Sequence, residues 1–447
     1  MWWRTRIILT GLCAVGSLAI PAGVSAGEAW TLDRALAHVG ENAPDARVAQ
    51  LRFEKARAQL DEARAQWLPK LTAETGYSAT DNPTQAFMFL LNQRQLTFGG
   101  DFNDPDVTDN WGSEIRLEYP LYTGGAREAG QKAADAGVAA SEFELAAVRR
   151  QLELEIAKAY FTVLRARAVV DAAKASLESQ QSNLDLATEL VEGGKALQTA
   201  VLDLETRVAG AEADLAAAEN QRELAIAMLQ TLLGLDDDEV GGFTVAEAWT
   251  TIEYPGEVIG TSERAELRAL DERAEQAEAG IEIAKSGKRP TVAAFASTRH
   301  DEGFTEPDGG NSWLAGVMVR LRLFDGGEVN AQVAQAEADR AIIDEQYRKQ
   351  RQQIELQVKT ARLNLETARK RIDLAEKAIT SAEKSLELTR TRFQEGIALS
   401  TQLIDAETAL TGARVRHSGA RAEERIALAT YRHALGLPIR ELNQSSK

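Results

Sequence analysis

The chain of 447 residues, 44% of them hydrophobic, is long enough for two or three domains with sizeable cores. Its formal charge of −17 argues against nucleic acid as a partner, because the phosphates would be repelled. The single cysteine, Cys13, leaves no intrachain disulfide and no thiolate metal cluster.

Residues 1–26 read as a secretory signal: Arg4 and Arg6 are basic, Ile7 to Ile20 is an apolar run, and Val24-Ser25-Ala26 is a small-residue cleavage site. Thr10-Gly11-Leu12 is a poor lipobox for Cys13. Losing both arginines with the signal moves the charge from −17 to −19. An amphipathic helix is then expected over 31–67, ending before Leu68-Pro69 because proline stops a helix. Strands are expected over 71–79 and 112–121, separated by a long loop at about 80–110 that contains "AFMFLLNQRQLTFGGDF". In "GSEIRLEYPL" the period is two, with Ile115, Leu117 and Tyr119 on one face and Glu114, Arg116 and Glu118 on the other.

After Gly124-Gly125 the period becomes helical. Leu152, Ile156, Ala159, Val163, Ala166 and Val170 are spaced alternately four and three apart, a heptad seam within a helix over 126–190. A turn near 192–198 leads to a returning helix over 199–233, and residues 236–261 connect to a helix over 262–287. Strands follow over 291–299 and 312–323. In the latter Trp313, Val317, Val319 and Leu321 share a face and Arg320 and Arg322 point the other way. Helices over 328–393 and 401–435 and a tail at 438–447 complete the chain.

The chain is written twice. "LYTGG" at 121–125 returns as "LFDGG" at 323–327, an offset of 202 that also relates Trp111 to Trp313, Gly194 to Gly396, Thr199 to Thr401 and Asp203 to Asp405. No gap is needed, so residues 27–235 and 262–437 are two copies of one structural unit. The longest apolar stretch after residue 26, "LAIAMLQTLLGL", falls short of the roughly 20 residues of a spanning helix, so any membrane crossing has to be a β-barrel. A ten-step strand tilted by roughly 40° spans about 25 Å, the height of such a barrel's apolar band. Four strands cannot close a barrel. A dimer, a trimer or a tetramer could share one, and spacing alone does not choose among them.

The order, spacing and duplication of "TLDRALAHVGENAPDARVA", "LPKL", "PLYTGG", "LRLFDGG" and the two "LGL" endings resemble the TolC-like outer-membrane efflux proteins. The resemblance implies a mainly α fold with a small β part. In it a homotrimer shares a 12-stranded outer-membrane β-barrel and a long α-helical barrel in the periplasm, with an equatorial belt from residues 236–261 and the tail. Such proteins are passive exit ducts of tripartite efflux or type I secretion systems. They dock to a periplasmic membrane-fusion adaptor that joins an inner-membrane pump of the RND or ABC class. By position the docking tips carry Gly194, Thr199, Asp203, Gly396, Thr401 and Asp405, residues that would also simply cap a hairpin. Asp185 and Glu387, equivalent in the two copies, are the candidate periplasmic gate. Glu114, Arg116, Glu118, Arg320 and Arg322 would line the lumen of the barrel. Ile115, Leu117, Tyr119, Trp313, Val317, Val319 and Leu321 would face lipid. The chain departs from the family at Asn42-Ala43-Pro44 and in the length of the 80–110 loop.

No catalytic constellation accompanies this pattern. The four histidines are scattered without metal-ligand spacing, and "EGGKA" lacks the first glycine and the hydroxyl residue of a phosphate loop. The expectation is a protein that is no enzyme and needs no cofactor. A secreted coiled-coil scaffold without a pore is the rival reading; it explains the heptads but not the matched amphipathic strands.

Overall fold

The computed structural model describes residues 29–97, 103–235, 243–246, 249, 252, 254–255, 264–304 and 309–439. The signal at 1–26, most of the 236–261 connection and all but the first two residues of the tail lie outside the described residues.

In chain order the first repeat comprises α1 (Leu32–Asn42), α2 (Pro44–Ala65), β1 (Lys70–Thr80), α3 (Pro83–Asn92), β2 (Thr108–Tyr122), α4 (Ala126–Glu192) and α5 (Gln198–Leu233). The second comprises α6 (Ala265–Ser286), β3 (Thr291–Glu302), β4 (Gly309–Arg320), α7 (Glu328–Gln394) and α8 (Ser400–Ala434). The helix expected over 31–67 is two helices. Thr31 caps α1 by accepting the Arg34 N–H at 3.2 Å, and Ala43 breaks the chain so that Pro44 opens α2, where its missing N–H costs nothing. The 80–110 loop holds α3, and β2 begins at Thr108, earlier than expected.

The two long helices have 67 residues each, about 100 Å at 1.5 Å per residue. Each starts straight from a paired glycine: Gly124 and Gly125 have φ of 70° and 91°, Gly326 and Gly327 of 64° and 93°. Those left-handed angles turn the strand into the helix within two residues and are open chiefly to glycine. A Cβ at Gly124 would stand 2.9 Å from the Ser286 carbonyl, so the first junction is also sterically closed to side chains.

Helices α4 and α5 form one antiparallel hairpin, α7 and α8 the other, and α2 and α6 pack beside the strand-proximal parts of α4 and α7. The short helices abut end to end: Gly234, closing α5, lies against Asn42 and Pro44 at the start of α2, and Gly436, beyond α8, against Arg264 before α6. The main core lies at this mid-height and gathers Leu32, Ile156, Tyr160, Phe161, Leu229 and Leu428. Part of the interrepeat connection joins it. Ile252 is buried there, and Trp30 pairs with Val245 in an isolated parallel bridge while its ring stacks on Phe243 at 5.6 Å.

Arg264 reinforces the same level. Buried, it donates to the carbonyls of His433 and Ala434 at 3.1 and 3.0 Å and pairs with Glu266. Burial, with the nearby Arg264 charge, disfavours the imidazolium of His433 and holds its pKa below the ordinary 6.5. Burial opposes ionisation of Glu266 as well, but the hydrogen bond and charge of Arg264 outweigh it, and its pKa lies below the ordinary 4.5.

Candidate functional site

The four strands make one antiparallel sheet in the order β1-β2-β3-β4, so β1 and β4 each leave an edge without a partner among the described residues. Directly opposite residues share a face. Leu71, Leu117, Ala296 and Ala315 form one such row, Tyr119, Ala294 and Val317 the next, and Val292 and Val319 a third. Trp313 joins Ile115 across Thr298. The expected apolar face is therefore continuous over all four strands, and its large side chains are exposed. Trp111 and Trp313, equivalent in the repeat, are four residues apart in register. Four steps of about 3.4 Å over two interstrand spacings of about 4.8 Å correspond to a strand tilt of roughly 55° if the two stand at one height.

The opposite face carries a ladder of charges. Glu114 accepts from Arg116 at 2.9 Å and lies 3.8 Å from Arg299, Arg116 lies 3.9 Å from Glu118, and Arg299 donates to Asp301 at 2.9 Å. Arg320 ends β4 on this face, opposite Thr291. Leu321 and Arg322 are corrections to the sequence reading, because neither lies on the strand. The partner strand stops at Thr291 behind Pro290, which has no N–H to extend the ladder. Asp325 then accepts the N–H groups of Gly327 and Val329 at 2.9 and 3.1 Å and starts α7. Arg322 lies 3.3 Å from Glu328 at that junction, and Leu321 is exposed beside it.

At the far end the two tips close alike. Gly194 and Gly396 take φ of 70° and 74°, and the N–H groups of Lys195 and Ile397 bond back to the carbonyls of Leu190 and Arg392, both at 2.8 Å. Thr199, Thr401 and Asp405 are exposed beside these turns, and Asp203 accepts the Ser400 hydroxyl at 3.1 Å. The tips share a small core of Ala187, Leu190, Val201, Leu204, Phe393 and Leu403. Leu197, Ile397 and Leu399 stand outside it with 75%, 72% and 67% of their surfaces exposed. Sequence reasoning missed these three, whose signal was apolar residues in a turn.

Asp185 and Glu387 are exposed on α4 and α7, and the structure does not bring them together. Neighbouring residues do meet. Arg390 donates to the Ser182 hydroxyl at 2.7 Å and Arg207 to that of Thr408 at 2.5 Å. Glu407, buried, accepts from Ser179 and from the Asn183 amide, the latter at 3.2 Å. Each of these bonds ties one hairpin to the other close to the tips.

At the other end of the molecule α3 lies against β2 and β4. Gln93 donates to the Asp109 carbonyl at 2.7 Å and to the Asn110 side chain at 2.9 Å, and Asn110 donates to Asp301 at 2.8 Å. Among the described residues no group of three histidine, cysteine or carboxylate side chains is placed to hold a metal ion, and no helix is long and apolar enough to cross a membrane.

Comparison with known proteins gives the geometry its context. A profile described as outer membrane efflux protein matches residues 35–235 and 261–437, one stretch per repeat. The chain is 25% identical over 344 residues to the fusaric acid resistance protein FusA of Burkholderia cepacia, covering 71% of this chain and 61% of that protein. It is 25% identical over 331 residues to the pyoverdine export outer membrane protein OpmQ of Pseudomonas aeruginosa, covering 71% and 66%. The chain thus spans less than two thirds of the length of these relatives. The crystal structure of the outer membrane protein VceC from Vibrio cholerae superposes with a TM-score of 0.76 at 22% identity, over 91% of this chain and 96% of that one. That likeness is one of fold: mainly α, with a small sheet at one end.

Proposed function

We propose, from the premise that this chain belongs to the outer membrane efflux protein family, that it is the outer-membrane exit duct of an efflux or secretion assembly. The outer membrane is the location that the family's name carries. The observation that carries the reading is the sheet itself: four strands, apolar on one face and charged on the other, open at both edges and continuous with helices of about 100 Å. A lipid-exposed edge would leave backbone groups unpaired, so copies of the chain have to pair β4 with β1 until the sheet closes. Three copies give the twelve strands that the family resemblance implies.

Exposed apolar positions on the helices support the same assembly. Ile342, Leu356 and Leu363 on α7 fall on a spacing of seven or its multiple, and α5 exposes Leu202, Leu224 and Met228. These faces are unpartnered among the described residues of one chain, and a neighbouring copy covers them. The apolar face with Ile115, Leu117, Tyr119, Trp313, Val317 and Val319 then meets lipid. Glu114, Arg116, Glu118 and Arg320 line a wet lumen, where charges of both signs remain hydrated. The tips, with Gly194, Thr199, Asp203, Gly396, Thr401 and Asp405 around exposed Leu197, Ile397 and Leu399, receive a periplasmic adaptor of an inner-membrane RND or ABC pump. Asp185 and Glu387 face the narrowing mouth above them. Family and fold are those of channels, so transport is passive and the pump selects the cargo.

Density-gradient fractionation of the expressed full chain, followed by chemical cross-linking, tests the reading. Trimers banding with the outer membrane are expected. Recovery as a soluble periplasmic species would show that the strands are not in lipid and would turn the reading to a coiled-coil scaffold.

A further inference from the structure

The two strand pairs are closed differently on the outside. Residues 303–308 suffice to join β3 to β4, whereas residues 81–107 join β1 to β2 and carry α3. This helix has defined ends. Asn82 accepts the N–H groups of Thr84 and Gln85 at 3.1 and 3.3 Å, and Arg94 closes it at φ 61°, the one non-glycine residue with positive φ among the described residues. From that turn Arg94 donates to the Asn311 carbonyl of β4 at 2.8 Å.

The side of the sheet that α3 occupies decides its meaning. Gln93 and Asp301 are only 2% and 1% exposed, and they join through Asn110, which shares a face with the charge ladder and not with Trp111 and Ile115. Gly310 stands on that face too, opposite Asp301, and the Asn92 carbonyl of α3 lies 1.8 Å from where a Cβ on Gly310 would be. The helix therefore folds over the charged face and against β4, which only a residue without a side chain permits. Met88 and Leu91 remain exposed on it.

We infer that α3 is an inward-folded lid on the outer mouth of the duct, latched by Gln93 and Arg94 to the rims of β2, β3 and β4, and excluding bulky external solutes. The inference rests on the trimeric-duct reading. Twelve strands about 4.8 Å apart and tilted by about 45–55° enclose a ring of roughly 26–32 Å between backbones. Three helices, each about 10 Å across with side chains, take up about a third to nearly a half of its cross-section and bring Met88 and Leu91 toward the axis.

Single-channel conductance of the full protein in planar lipid bilayers tests the lid. Gly310→Ala pushes the Asn92 backbone away without touching strand pairing, and Gln93→Ala removes the latch donor. Gly76→Ala, on the same face with nothing within 4 Å of its Cβ, is the control. A conductance roughly twofold or more above wild type is expected for the first two variants, with the control unchanged, because pore diameter sets passage. Trimers of Gly310→Ala and Gln93→Ala that both conduct like wild type would overturn the lid. Wild-type protein that opens no channel in this assay would instead overturn the duct reading beneath it.

Discussion

Leu117 and Glu118 are adjacent, yet the sheet assigns them opposite surroundings. Leu117 lies in a row with Leu71 and Ala296, and Glu118 stands beside Arg116 on the charged face. An arginine at the bilayer midplane costs about 2–4 kcal/mol, so Leu117→Arg should reduce trimer recovery from the outer membrane while Glu118→Arg assembles normally. Equal recovery of the two variants would refute the assignment of faces. His433 and Glu266 give the molecule an acid sensitivity. Buried His433 binds its proton less readily than the unfolded chain does, so stability falls as pH drops below about 6.5 until the lower folded pKa is passed. The contribution of Glu266 is complete above its unfolded value near 4.5 and is lost as pH falls through its lower folded one. Both shifts act in one direction, so the thermal midpoint should decline from pH 7.5 to 4, and His433→Gln should flatten the upper part of that decline while leaving the Glu266 part below about 4.5.

Among the elements, the ties between hairpins near the tips are the most exposed to test. Removing the Glu407 carboxylate leaves the buried Asn183 amide without its acceptor, a cost of about 1–3 kcal/mol. Glu407→Ala and Arg390→Ala should therefore speed tryptic cleavage after Lys195 at the exposed tip, with cleavage elsewhere unchanged. Wild-type cleavage kinetics in both variants would mean that the shared tip core alone holds the hairpins together. The alternation of strand and helix was legible in the sequence because period two and the heptad are side-chain patterns, and each is repeated at an offset of 202. Ends were less legible. Leu321 and Arg322 continue the alternation of β4, but alternation records which way side chains point and not whether a partner strand is still there; Pro290 removes it. Pro44 splits the first helix although the apolar pattern runs through it. The ties of Ser182, Asn183 and Glu407 join residues more than 200 positions apart, and no local pattern announces such a pair. The position of α3 was hidden for the same reason, since Arg94 and the Asn110 that Gln93 meets find their partners, Asn311 and Asp301, 217 and 191 positions away.

At the scale of the whole molecule, a single chain leaves its own requirements unmet. Among the described residues the sheet has two free edges, and α7 shows leucines to solvent at 65% and 52% exposure for Leu356 and Leu363. These faces argue for assembly more directly than composition does, because burying a leucine is worth about 1.5–3 kcal/mol and several are displayed. Leu356→Glu with Leu363→Glu should leave the helical content of the chain intact by circular dichroism while abolishing cross-linked trimers. Retention of trimers would place the interface on another face of α7.

The pairing of β2 with β3 also governs how the molecule comes into being. Asn110 and Asp301, neighbours across that seam, lie 191 positions apart, with both helices of the first hairpin between them. Closing so long a loop is slow compared with helix formation, whose contacts are local. The hairpins can form as the chain emerges, while the greasy side of the sheet waits for its inner seam and, on the trimeric reading, for two other chains. The membrane part is thus made last, and until then the chain carries a surface that needs a chaperone or prompt delivery to lipid.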